Sequence, residues 1–217
     1  MMKVAKAKKA ALSSEYPSLE ELSALLDTQT HYSINTLNWK DFSYKPEVKF
    51  AIAYSDHEIF LKYYVREEFF KAEKTITNEM VCEDSCVEFF VSPEYDGLYY
   101  NIEFNAIGTC LLGTGHGRSD SERADPLVIS KIRRLASAGV KPVKEKQGDF
   151  NWSLTIAIPL EVFFRHNIKE LTGKTFMANF YKCGDKLKMP HYVTWNPIGT
   201  EKPDYHRPEY FGAVKFI

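Results

Sequence analysis

The chain lacks several features that would assign it to a familiar class. It has no excess of charge: 28 Lys and Arg stand against 29 Asp and Glu, for a net charge of −1. A phosphate-tracking surface needs a basic surplus, so nucleic-acid binding is not expected. No window approaches the roughly 20 apolar residues of a membrane helix, so no membrane partner is expected. Residues 1–17 carry no uninterrupted apolar stretch of the secretory kind. As written the chain reads as cytoplasmic, or as secreted or periplasmic if a leader was removed. Four cysteines, Cys82, Cys86, Cys110 and Cys183, are too few and too irregular for a disulfide framework. Cys82 and Cys86 fall in one predicted strand, about 13 Å apart at strand rise. There is no G-x-S-x-G elbow for a nucleophilic serine. Gly113-Thr-Gly-His-Gly117 lacks the Gly-Lys-Ser/Thr ending of a phosphate loop. His116, His191 and His206 with Cys183 lack metal-finger spacing.

Aromatic residues are plentiful, with 13 Tyr and 15 Phe but only 3 Trp. Tyr and Phe favour strands, and their rings also suit the C–H faces of pyranoses. Ser18-Leu-Glu-Glu21 has the pattern of a helix N-terminus, with Leu19, Leu22, Leu25 and Leu26 at helical spacing. The predicted helix is 18–26. Strands are predicted at 50–54 and 59–65 around a tight Ser55–Glu58 turn, then at 85–91, 99–107, 128–135, 152–158, 176–183 and 211–216. Loops are predicted at 66–81, 108–125 and 184–208, and a helix over 160–171. The basic run Lys3–Lys9 is expected to be a frayed, solvated end. Many short strands with intervening turns mean a β-sandwich or barrel.

Alternation sorts the faces. Over 85–91, Val87, Phe89 and Val91 face a core while Cys86, Glu88 and Phe90 face away. Over 99–107, Tyr100, Ile102, Phe104 and Ala106 face the core, opposite Tyr99, Asn101, Glu103 and Asn105. Tyr181 is able to join the same polar face. Carboxylates, amides and rings on adjacent strands suit a polyol, which needs both acceptors and apolar cover. Two carboxyls on neighbouring strands also suit glycoside hydrolysis, which requires a separation of about 5–5.5 Å or about 6.5–9.5 Å. Asp120, Glu122 and Asp125 lie in one loop without the spacing of a calcium-binding loop and read as solvated charges.

Glu83-Asp-Ser-Cys-Val-Glu-Phe-Phe90, Tyr99-Tyr-Asn-Ile-Glu-Phe-Asn-Ala-Ile-Gly-Thr109 and the closing run Thr194–Gly212 resemble the family 9 carbohydrate-binding modules, especially free-standing bacterial relatives within the DOMON-like group. The resemblance spans roughly residues 45–217. It implies an all-β, immunoglobulin-like or jelly-roll β-sandwich with one or two short peripheral helices. Residues 1–44 would then form an N-terminal extension carrying the short helix. It also implies non-catalytic binding of a glucan- or xylan-type mono- or oligosaccharide in support of polysaccharide catabolism. Hydrolysis by a Glu88/Glu103 pair is the alternative. The residues expected to hold the sugar are Glu88, Glu103, Asn105, Arg118, Tyr181, Trp195, Tyr205 and Arg207. The family clamps sugar between two aromatic rings. The late ring falls on or beside Tyr205, but the early one falls near Cys82, leaving Trp195 or His206 to replace it. Some members carry structural calcium.

Overall fold

The computed structural model describes residues 2–217. In chain order the strands are β1 (Val4–Lys9), β2 (Tyr32–Ser33), β3 (Thr36–Leu37), β4 (Glu47–Tyr54), β5 (Glu58–Ala72), β6 (Cys86–Ser92) and β7 (Tyr99–Asn105). They continue with β8 (Cys110–Gly115), β9 (Glu122–Arg123), β10 (Arg133–Ala136), β11 (Val143–Pro159), β12 (Thr175–Cys183), β13 (Tyr192–Thr194) and β14 (Gly212–Phe216). Two short helices, α1 (Leu19–Asp27) and α2 (Pro126–Ser130), complete the chain together with single 3-10 turns.

These strands make a β-sandwich. One layer runs β14-β12-β6-β7-β8-β9, and the other runs β10-β11-β5-β4. The strand β1 joins them: Val4–Ala7 pair in parallel with β14, and Lys8 and Lys9 pair with β4. The inner faces meet in an apolar core. The Phe50 ring of one layer stacks on Phe180 of the other at 3.7 Å. Tyr63 reaches across the layers to donate its hydroxyl to the Glu88 carbonyl at 2.8 Å. Each such fully buried ring contributes about 1.5–3 kcal/mol of transfer free energy.

The expected face sorting holds. Val87, Phe89, Val91, Tyr100, Ile102 and Phe104 lie in the inter-layer core. The Ser55 hydroxyl accepts from the backbone N–H groups of His57 and Glu58, which makes the β4–β5 turn tight. Helix α1 is capped by Ser18, whose side chain accepts from Glu21 N. It lays Leu22 and Leu26 on Ala51, Ala53, Phe60 and Ala157, outside the second layer.

Several boundaries differ, each for a physical reason. The basic N-terminal run is strand β1, not a frayed end. Ala5 and Ala7 alternate inward between lysines, a period-two pattern that small residues make faint. The predicted loop at 66–81 is strand as far as Ala72. Its inward alternation passes through Glu67, a carboxylate buried by pairing with Lys182 at 2.8 Å. The predicted loop at 108–125 contains the buried strand β8, disguised by its glycines. A Cβ on Gly113 would lie 2.5 Å from Asn101 Oδ1, so this strand must be bare there. The predicted helix over 160–171 is one 3-10 turn, Leu160–Val162. Tertiary contacts override its periodicity: Phe163 is buried, and the Tyr100 hydroxyl accepts from Arg165 N. Residues 128–135 divide between α2, capped by Asp125, and β10. The loop 184–208 contains the short strand β13. Cys82 sits in the 3-10 turn Val81–Glu83 rather than a strand, and all four cysteines are free thiols.

Candidate functional site

The outward face of β12-β6-β7 is not solvated. Loops around residues 80–84, 116–123 and 184–207 cover it and leave a cavity of about 450 Å³. That volume lies within the roughly 300–1,000 Å³ typical of small-ligand pockets.

Strand register builds the floor. Tyr181 pairs with Glu88, Glu88 with Glu103, and Glu103 with Leu111, giving one row across four strands. The neighbouring row is Cys183, Cys86 and Asn105. The next one on the other side is Asn179, Phe90, Asn101 and Gly113. Glu88 and Glu103 are therefore directly opposed on adjacent antiparallel strands, and both line the cavity. Glu88 Oε1 accepts from the Cys183 thiol at 3.0 Å. Glu103 Oε1 accepts from Asn101 Nδ2 at 2.8 Å.

Burial dominates the electrostatics of this floor. It pushes the Glu88 carboxyl well above the usual carboxylate range, with the facing Glu103 adding to the effect. Burial likewise raises Glu103 to about 7 and Asp185, on the wall, to about 6. His206 is driven down to about 4 by burial first and the Arg118 guanidinium second, so its ring is neutral near pH 7. Its Nδ1 hydrogen-bonds the Tyr99 hydroxyl at 2.8 Å, and its ring meets Phe90 edge to face at 5.0 Å.

Tyr205 forms part of the wall and is held on two sides. Its ring stacks on Tyr181 at 3.9 Å and 6°. Its hydroxyl donates to the Lys182 carbonyl at 3.1 Å, while the Tyr181 hydroxyl donates to the Tyr205 carbonyl. One face of the Tyr205 ring is thus spent on Tyr181. Arg118 stands at the rim, paired with Asp204 at 3.1 Å.

Of the eight residues singled out from sequence, Glu88, Glu103, Arg118 and Tyr205 line the cavity together. The other four do not. Tyr181 lies behind Tyr205. Asn105 is spent as a loop tie, donating to Asp84 and to the Lys74 carbonyl. Trp195 is in the inter-layer core, edge-on to Phe50 and Phe180, because the strand alternation after β13 turns it inward. Arg207 lies outside, paired with Glu209 at 2.6 Å. The ring that reaches the cavity is His206, not Trp195, and Cys82 lines the wall as well. Asp185 and Tyr192, which line the cavity together with Arg123, were missed. Asp185 sits in a turn and Tyr192 in the three-residue strand β13, both too short for periodicity to report direction.

The loop carboxylates Asp120, Glu122 and Asp125 do not form a calcium site. Asp120 accepts from the backbone N–H groups of His116 and Gly117, Asp125 caps α2, and Glu122 pairs with Arg165. These three carboxylates do not converge, whereas calcium needs six to eight oxygens. Among the described residues, the convergent sets are Cys86–Glu88–Cys183 and Glu94–Asp96–His166, and neither is built of oxygen donors alone. Among the described residues no helix is long and apolar enough to cross a membrane.

Known proteins bear on this site. The sequence profile of carbohydrate-binding family 9 matches residues 20–216. A crystal structure described as a candidate carbohydrate-binding protein, from Bacteroides uniformis ATCC 8492, is 41% identical, covers 100% of both chains and superposes with a TM-score of 0.96. A family 9 carbohydrate-binding module from Caldicellulosiruptor kristjanssonii in complex with glucose has a TM-score of 0.60 at 11% identity, covering 99% of this chain and 96% of that one. The same organism's module in complex with cellotriose has a TM-score of 0.60 at 10% identity, covering 99% and 93%. At those identities the likeness is one of fold. No curated protein matches the chain.

Proposed function

The chain belongs to carbohydrate-binding family 9, and from that premise we propose that it holds a glucan- or xylan-type mono- or oligosaccharide, without chemistry, in the cavity floored by Glu88 and Glu103. The observation that carries this reading is the floor itself. Two buried carboxyls stand side by side, flanked by Phe90, Tyr205 and His206. Carboxyls accept from sugar hydroxyls, and when protonated they also donate. Rings cover the C–H faces. A loop-walled pocket on a rigid sheet keeps these groups in place without the ligand, so little ordering entropy is lost on binding.

In this reading Glu88 and Glu103 hydrogen-bond hydroxyls at the floor and Arg118 does so at the rim. Tyr205 and His206 form the apolar wall, and Tyr181 props Tyr205 from behind. The opposed carboxyls also have the make-up of a hydrolytic pair, so one test covers both activities. Calorimetry with glucose, xylose and cellotriose is expected to give saturable heat with at least one of them. Glu88→Ala is expected to weaken that binding at least tenfold, about 1.4 kcal/mol. Incubation with cellotriose should release no new reducing ends. Absence of heat with any saccharide would sink the reading; release of reducing ends that stops in Glu88→Gln would replace it with hydrolysis.

A further inference from the structure

Five carboxylate side chains are buried among the described residues: Glu58, Glu67, Asp84, Glu88 and Glu103. Three of them have a cation. Glu58 meets Arg133 at 2.7 Å, Glu67 meets Lys182 at 2.8 Å, and Asp84 has Lys71 at 3.8 Å together with two backbone N–H donors. The two without one are Glu88 and Glu103, and these share the cavity floor. A third carboxyl, Asp185, lines the same cavity, and among the described residues its side chain also forms no ion pair. The cavity's own guanidinium groups, Arg118 and Arg123, favour the ionised carboxyls from a distance but form no ion pair with them. Arg118 is paired with Asp204, and Arg123 rests on Met80 Sδ at 3.4 Å.

A buried charge without a counter-charge is costly, and elsewhere this fold avoids the cost. Here a positive charge in direct contact has to come from protons or from a ligand. The carboxyl oxygens are acceptors when ionised, and an ammonium has three donors and no acceptor. It would share its N–H groups between the opposed Glu88 and Glu103 carboxyls, with Asp185 on the wall of the same cavity. Resting on the saccharide reading above, we infer that the preferred ligand is an amino sugar, a hexose-sized saccharide carrying a free protonated amine that sits among Glu88, Glu103 and Asp185.

The raised carboxyls give the inference a second readout. Near neutral pH Glu103 and Asp185 still hold part of their protons. An ammonium favours their ionised forms, so its binding expels protons. A neutral sugar has no such effect.

The test is calorimetry near neutral pH with glucose, glucosamine and N-acetylglucosamine, repeated in buffers of different ionisation enthalpy. Glucosamine is expected to bind at least tenfold more tightly than glucose, with net proton release. N-acetylglucosamine, of similar shape but neutral, should not share the gain. In Glu103→Gln and in Asp185→Asn, which preserve side-chain shape, the preference of glucosamine over glucose should collapse toward one. Equal binding of glucose and glucosamine by the unaltered protein would overturn the inference while leaving saccharide binding intact. Failure of all three sugars, with no binding of glucan or xylan fragments either, would remove both.

Discussion

On the inner side of β12, Lys182 is completely buried. Glu67 meets it at 2.8 Å, and His191 and the Cys183 carbonyl complete its surroundings. One residue along on the outer side, Tyr181 sits beside Glu88, which faces Glu103 with no cation in contact. The two sides of one strand thus treat buried charge in opposite ways. The inner pair is closed: Trp152 Nε1 also donates to Glu67, at 2.6 Å, and the network ties β5, β11 and β12 together. The outer pair is open, its free oxygens turned to a cavity. Matched charge between the layers fixes register and stability. Unmatched charge on the outer face is held at a cost to stability and is available to a ligand.

Four substitutions bear on this contrast. The largest effect is expected for Lys182→Met. Removing one member of the closed pair strands Glu67 and should cost about 3–5 kcal/mol in urea unfolding. A cost below about 1 kcal/mol would mean that the inner pair is not structural.

Glu103→Gln should act in the opposite direction. Burial raises the Glu103 carboxyl from 4.5 to about 7, so the folded state holds its proton more tightly than the unfolded chain. The resulting stabilisation is full below about pH 4.5 and is lost as pH rises through about 7. The unaltered protein should therefore melt at lower temperature at pH 8 than at pH 6. Glu103→Gln should flatten that slope and gain about 1–3 kcal/mol at pH 8 while weakening sugar binding. A variant less stable than the parent at pH 8 would show that Glu103 is stabilising when ionised.

Gly113→Ala probes how the open floor is supported. Its Cβ would meet Asn101 Oδ1 at 2.5 Å and Ser121 Oγ at 2.7 Å, displacing the amide that holds Glu103. The expected outcome is a loss of about 1–2 kcal/mol in stability together with severalfold weaker sugar binding. Full retention of affinity would detach Asn101 from the site. Arg207→Ala should do least, changing stability by under about 0.5 kcal/mol and affinity not at all, since Arg207 pairs with Glu209 outside the cavity. A tenfold loss of affinity there would extend the site across the Arg118–Asp204 pair.

Much of the sandwich was legible. The alternation in β6 and β7 sorted core from pocket correctly because both strands read cleanly at period two, and the same alternation brought Glu88 and Glu103 to one face. What misled was chemistry that hides the period. Glu67 occupies an inward position and reads as loop, Ala5 and Ala7 are too small to mark a strand among lysines, and the glycines of β8 read as a turn. Trp195 and Arg207 lie in the closing run, where neighbours in sequence face the core, the cavity and solvent in turn. Trp195 enters the core, Tyr205 and His206 the cavity, and Arg207 the outside.

The sequence by itself determined the all-β architecture, the membership of a carbohydrate-binding family and the carboxyl row, because strand periodicity is a local property that side-chain order carries directly. Only the tertiary structure decided that the row is buried beneath loops, that Asp185 and His206 join it, and that its carboxyls lack the cations given to Glu58 and Glu67. Those facts depend on which distant segments arrive at the same place, and burial and charge pairing are properties of that meeting rather than of any one segment.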